Sequence, residues 1–155
     1  MLLSKTIISD TSCFIVLSKI GRLEILQQLF GTIVTTPEIA DEYGENLPDW
    51  IEIVAVKDKH KQQLFEINVD KGEASAMALA LETENSLIII DDYKARKLAH
   101  SLHLDYMGTI GIIKLAKQKG IISAVMPILK EIKDTDFRIS SELELFLLTQ
   151  TNEYE

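Results

Sequence analysis

The stretch Leu87–Arg96 reads LIIIDDYKAR. Four apolar residues in a row, three of them β-branched, leave no alternation and so no wet face. That is the pattern of a strand buried on both faces within a parallel sheet. Two aspartates, Asp91 and Asp92, follow at once. In a parallel sheet covered by helices, chemistry gathers outside the carboxyl ends of the strands. A second run, Thr6–Ser9, ends the same way, in Asp10. Aspartate is also a good helix N-cap. Taken singly, each of these acids is explained by the helix expected after its strand, and a functional reading requires several acids to converge.

Outward from that stretch, strands alternate with helices. Further strands are expected at Thr32–Thr35, Trp50–Val56 and Leu104–Met107. Helices are expected at Thr11–Lys19, Arg22–Phe30, Pro37–Tyr43, Lys57–Ile67, Asp70–Glu84, Asp92–Leu102, Thr109–Lys119 and Ser123–Lys133, with a last one from Ser140 or Ser141 through Leu148. Gly31 suits a helix C′ position, Thr36 and Pro37 suit an N-cap and first turn, and SELE fits a capping box. In Asp70–Glu84, Ala74, Met77, Ala78 and Leu81 mark one face, and its many alanines let it lie close against a sheet. The alternation predicts an α/β fold, a three-layer α/β/α sandwich around a mostly parallel central sheet. A single domain over residues 1–150 is expected, with 151–155 as a frayed tail.

A chain of 155 residues can bury about 68–70% of its unfolded surface without staples. The lone Cys13 excludes an intrachain disulfide and, in the run TSCFIVL, reads as a small core residue. No apolar run reaches the ~20 residues of a membrane span, and no signal-peptide pattern is present. A cytoplasmic protein without a membrane partner is expected. The net charge of −8 opposes phosphate binding in general. It is uneven, however: −7 over residues 1–90, +3 over 91–119 and −4 over 120–155. The one basic segment begins at the aspartate pair. A solvated helix face is the commoner meaning of such a cluster. His100 and His103 lack a third ligand nearby for zinc.

The acids that can converge are Asp10 after the first strand, Glu42 one turn into the helix after the second, Glu73 at the start of the alanine-rich helix, and Asp91 and Asp92 after the fourth strand. Glu38, four residues before Glu42, is expected to face solvent. Crowded carboxylates repel, and burying them unpaired is costly. Mg²⁺ or Mn²⁺ removes that cost, prefers oxygen ligands and leaves positions for a phosphate. Such an ion can polarise a phosphodiester and activate water against it. Lys94, Arg96 and Lys97 begin one turn past the acids and are expected to hold flanking phosphates. The fork of Arg96 suits two phosphate oxygens or a salt bridge to one of the acids. A phosphoacceptor receiver would want its acid pair after the first strand. A haloacid-dehalogenase-type phosphatase would want D-x-D where Ser12 stands.

The chain resembles the PIN domain, the metal-dependent ribonuclease fold of VapC-type toxins. The resemblance is carried by ISDTS (8–12), VTTPEIADEYGE (34–45), GEASAMALA (72–80), LIIIDDYKARKLA (87–99) and MGTIGIIKLAKQKGII (107–122), in the family's order. It is most similar to a PIN-like branch described as predicted nucleic-acid-binding proteins. The resemblance implies a ribonuclease that hydrolyses RNA phosphodiester bonds with Mg²⁺ or Mn²⁺, as the toxin of a toxin–antitoxin pair, with a homodimer and an antitoxin partner. It implies catalytic roles for Asp10, Glu42, Glu73, Asp91 and Asp92, and places Asp10, Glu73, Asp91 and Asp92 around the metal. The hydroxyls of Thr11 and Ser12 would hold a ligand or water. Ile90 stands where the family has threonine, so the register between Asp91 and Asp92 is open. The alternative is a PIN-like module that binds RNA or a protein and cuts nothing.

Overall fold

The computed structural model describes residues 5–153. The strands are β1 (Thr6–Ser9), β2 (Ile33–Thr35), β3 (Ile51–Ile53), β4 (Ser86–Ile89) and β5 (Asp105–Met107). They form one all-parallel sheet in the order β3-β2-β1-β4-β5. The chain builds outward from β1 to one edge, then returns to β4 and builds to the other. The order therefore reverses between β1 and β4, and the crevice of such a sheet opens at that point, beyond the strand ends. Thr6 pairs with Ser86 and Ser9 with Ile89, so the two strands finish level. The Asp10 N–H donates to the Ile89 carbonyl and the Ile90 N–H to the Met107 carbonyl, at 2.9 Å each. The chain thus leaves the sheet at Asp10 and Asp91 side by side.

Among the described residues there are nine helices: α1 (Thr11–Lys19), α2 (Glu24–Phe30), α3 (Pro37–Tyr43), α4 (Lys59–Phe65), α5 (Lys71–Leu81), α6 (Tyr93–Ser101), α7 (Thr109–Gln118), α8 (Met126–Lys133) and α9 (Ser141–Gln150). With the sheet they make the three-layer α/β/α sandwich. Helix α5 packs against α3, α4, α6, β1 and β4, and α2 packs against α7. The core runs through Phe14, Leu17, Ile39, Met77, Ile88 and Ile112, and Cys13 is buried in it. Every residue of α5 from Gly72 to Ala80 is buried. It is a central helix packed all round, where the sequence suggested a single apolar face.

Several boundaries differ from expectation for local reasons. β3 pairs only over Ile51–Ile53, because it is an edge strand with a single partner, β2. α8 starts at Met126, with Pro127 in its first turn. Glu38 is half-buried and accepts hydrogen bonds from Gln62 (2.9 Å) and Lys59 (3.4 Å) instead of facing open solvent. Of the tail expected to fray from 151, Thr151 is buried, and the Glu153 carboxylate accepts from the backbone N–H groups of Val125 and Met126 at 2.8–2.9 Å. An acid there satisfies donors that the start of α8 leaves open. The last two residues of that tail lie outside the described residues. No helix among those described is long and apolar enough to cross a membrane.

Candidate metal and catalytic site

Asp10 occupies the N-cap position of α1, yet its side chain makes no capping hydrogen bond. It is only 5% exposed, and its Oδ1 has no hydrogen-bond partner. The local explanation for an aspartate at this place is therefore missing. Asp58, Asp70 and Asp92, by contrast, each cap their helices, accepting from Lys61, Glu73 and Ala95. A buried carboxylate oxygen without a donor is costly. Burial accordingly pushes the Asp10 carboxyl from 3.8 up to about 8. The Thr11 backbone N–H opposes the rise, and the charges of Glu73, Asp70 and Glu42 add to it.

Glu73 opens α5 and closes a capping box with Asp70. The Asp70 carboxylate accepts from the Glu73 N–H at 2.8 Å, and Glu73 Oε1 accepts from the Asp70 N–H at 3.2 Å. Burial first, then the charges of Asp70, Asp92 and Glu42, raise Glu73 from 4.5 to about 7. Glu42 is exposed at the end of α3, and Thr11 Oγ1 donates to its Oε1. The Glu42 carboxylate lies over Gly72, where an added Cβ would fall 2.9 Å from Glu42 Oε1 and 3.6 Å from Asp10 Oδ1. Only glycine leaves that space open. Behind it, the Thr36 and Ser75 hydroxyls meet at 2.7 Å, and Ser75 donates to the Gly72 carbonyl at 2.6 Å. This pins α3 to the first turn of α5.

The two aspartates after β4 diverge. Asp91 Oδ1 accepts from the Thr109 N–H at 2.7 Å, and its Oδ2 accepts from the hydroxyls of Thr109 (2.6 Å) and Ser12 (2.7 Å). It joins the end of β4 to α1 and α7. Gly108 makes room for it: a Cβ there would sit 3.0 Å from Asp91 Oδ1. Asp92 is exposed, caps α6 and acts on Glu73 through its charge. The basic residues divide too. Lys94 and Lys97 border a cavity with Ile67, Asn68, Leu98 and Ser101. Arg96 lies 5.3 Å over the Tyr106 ring, beside a second cavity that Lys97 also borders, and among the described residues it has no ion pair.

The charges of Glu73, Asp70 and Glu42 thus act on Asp10, and those of Asp70, Asp92 and Glu42 on Glu73. Asp70 and Gly72 escaped the sequence reading, which used Asp70 only as the start of a helix and Gly72 only as part of the GEASAMALA run. Among the described residues, no three of the acids meet closely enough to enclose a cation by themselves. Mg²⁺ keeps several waters and is usually held by only one or two carboxylates. An all-oxygen donor set with an unpartnered buried Oδ1 and two carboxyls driven toward neutrality fits such an ion.

These shifts dictate a pH dependence. In the metal-free folded protein Asp10 stays protonated up to about pH 8, whereas the unfolded chain ionises it near 3.8. Between those values the native state binds more protons, so stability falls as pH rises. Glu73 acts in the same direction between 4.5 and about 7. Glu38 and Glu153, held below the usual carboxylate range, act oppositely and only at lower pH. The chelator-treated protein is expected to lose up to about 1.4 kcal/mol per pH unit for each titrating group from pH 5 toward 7. That is a Tm decline of about 2–4 °C per kcal/mol at this chain length. Thermal melts in EDTA across pH 5–8 measure it, and a flat or rising Tm would contradict the assignment.

The family model DUF3368, a PIN domain, matches residues 6–153. No curated protein and no solved structure matches the chain.

Proposed function

Since the chain belongs to the PIN-domain family, a nuclease-type fold, we propose that it is a divalent-cation-dependent ribonuclease that hydrolyses RNA phosphodiester bonds. The observation that carries this reading is the buried Asp10 Oδ1, without a hydrogen-bond partner and facing further acids. In the proposed site Asp10 and Glu73 would hold Mg²⁺ or Mn²⁺ with several waters, and Asp92 would reach it through one of them. When bound, the ion supplies Lewis-acid polarisation of the phosphodiester and a lowered water pKa. Thr11 fixes Glu42, exposed and beside Asp10, to draw a proton from the attacking water. Water oxygen bonds to phosphorus, the bond from phosphorus to one ribose oxygen breaks, and the products are a phosphate monoester end and a hydroxyl end. Asp91, with both oxygens engaged, holds the ends of β4, α1 and α7 in place and leaves the metal role to Asp92. Lys94, Arg96 and Lys97, on α6 just past Asp92, would hold the flanking phosphates. The toxin role, a homodimer and an antitoxin partner remain part of the proposal and rest on the resemblance.

The test is cleavage of end-labelled single-stranded RNA with Mg²⁺ or Mn²⁺, beside a chelated control. Cleavage that needs the cation is expected. Wild-type protein that binds RNA yet never cuts it with Mn²⁺ present would favour the non-cutting module, and protein that does neither would end the RNA reading.

A further inference from the structure

Beside Asp91 the molecule has a groove of about 370 Å³, of whose lining the mechanism above uses only Asp91 and Arg96. Its walls come from α6, β5, α7, α9 and the segment before α9. Arg96, Tyr106, Lys114, Phe137, Arg138 and Phe146 face into it. Three cations line it and a single carboxylate, Asp91, whose oxygens are already engaged by Ser12 and Thr109. In a chain of net charge −8 that is a local reversal of sign. The cations sit on rings: the Arg96 guanidinium 5.3 Å over Tyr106, and the Lys114 ammonium 5.9 Å over Phe146. Phe146 is 57% exposed, an unusual place for a phenylalanine.

We propose that this groove takes the single-stranded RNA flanking the scissile phosphate, its bases against Tyr106, Phe137 and Phe146 and its phosphates on Arg96, Lys114 and Arg138. The proposal rests on the ribonuclease reading and adds the path of the strand and the residues that line it. Aromatic faces interleaved with cations are how proteins hold single strands with little sequence preference, because every base has a π-face. A duplex hides those faces, and a groove of this size suits a small ligand or a splayed base. Asp91 lines the groove just past the carboxyl end of β4, so the groove begins at the edge of the sheet where the acids stand. Exposed Leu143 and Leu145 on α9 would suit a protein partner instead. The excess of cations and their place beside the acids favour a polyanion.

The test uses a fluorescein-labelled single-stranded oligouridine and its duplex with oligoadenosine, titrated by anisotropy without divalent cation, so that binding is read without cleavage. Wild type is expected to prefer the single strand. Phe146→Ser is expected to weaken single-strand binding about fivefold or more, as loss of one stacked base does. Lys114→Gln with Arg138→Gln is expected to flatten the salt dependence by about 1.4, two contacts at roughly 0.7 each. Arg138 is exposed, so its replacement tests the groove even should Phe146→Ser disturb packing. If wild type binds the oligomer and all variants match it within twofold, the groove is overturned while the ribonuclease reading stands. If Phe146→Ser changes only the sedimentation coefficient, the face is a protein contact and the inference is equally overturned. If wild type binds no RNA, both readings fall together.

Discussion

Asp10→Asn is expected to lower RNA cleavage about a thousandfold, the equivalent of roughly 4 kcal/mol, while leaving the metal-free protein at pH 7 no less stable than wild type. The two halves of this result come from one observation. Asp10 makes no capping hydrogen bond, so no helix is uncapped by its loss. With a carboxyl raised to about 8, it is largely neutral in the metal-free protein at pH 7, and asparagine is close to its neutral form. In EDTA its advantage over wild type should grow as pH rises from about 4 to 8, where the unfolded carboxyl is ionised and the folded one is not, and level off above pH 8. What it loses is the charge that would hold a cation. A clearly lower Tm at pH 7, with cleavage retained, would make Asp10 a structural residue.

The second large effect separates neighbours in sequence. Asp91→Ala strips the partner from the Thr109 N–H and from two hydroxyls, and Thr109 is fully buried. Unsatisfied buried donors and lost charge-assisted bonds together cost roughly 3–5 kcal/mol. The Tm should fall by about 6–20 °C. Asp92→Asn should change stability by less than about 0.5 kcal/mol, since asparagine caps helices nearly as well as aspartate. It should nonetheless abolish cleavage while leaving RNA binding intact or tighter. Thermal melts and single-turnover cleavage of the two variants settle the pair. Equal loss of stability in both would remove the distinction drawn between them.

Much of this was legible in the residues. Runs such as LIII and TIIS read as inner strands of a parallel sheet, and acids placed after them fall at the strand ends. The choice between Asp91 and Asp92 was not legible. It depends on Thr109 and Ser12, brought in from elements distant in sequence, and adjacent residues look equivalent before those arrive. Asp70 was hidden because D-x-x-E already explains itself as a capping box. Gly72 was hidden because a missing Cβ matters only once Glu42 lies above it. Lys94 and Lys97 are three apart on a helix, while Arg96 is about 200° from Lys94 at 100° per residue. That difference was present in the sequence, although the three read there as one basic patch.

Burial, helped by the charges of Glu73, Asp70 and Glu42 on Asp10 and of Asp70, Asp92 and Glu42 on Glu73, keeps both carboxyls partly neutral, and in the proposed site a cation takes them over. Calorimetric titration of Mn²⁺ into the protein at pH 7, repeated in buffers of different ionisation enthalpy, reads this directly. Carboxylates must lose their protons to bind metal. With Asp10 near 8 and Glu73 near 7, about one proton or slightly more should be released per ion bound, and Asp10→Asn should remove most of that release. Absence of binding, or binding without proton release that Asp10→Asn leaves unchanged, would contradict it.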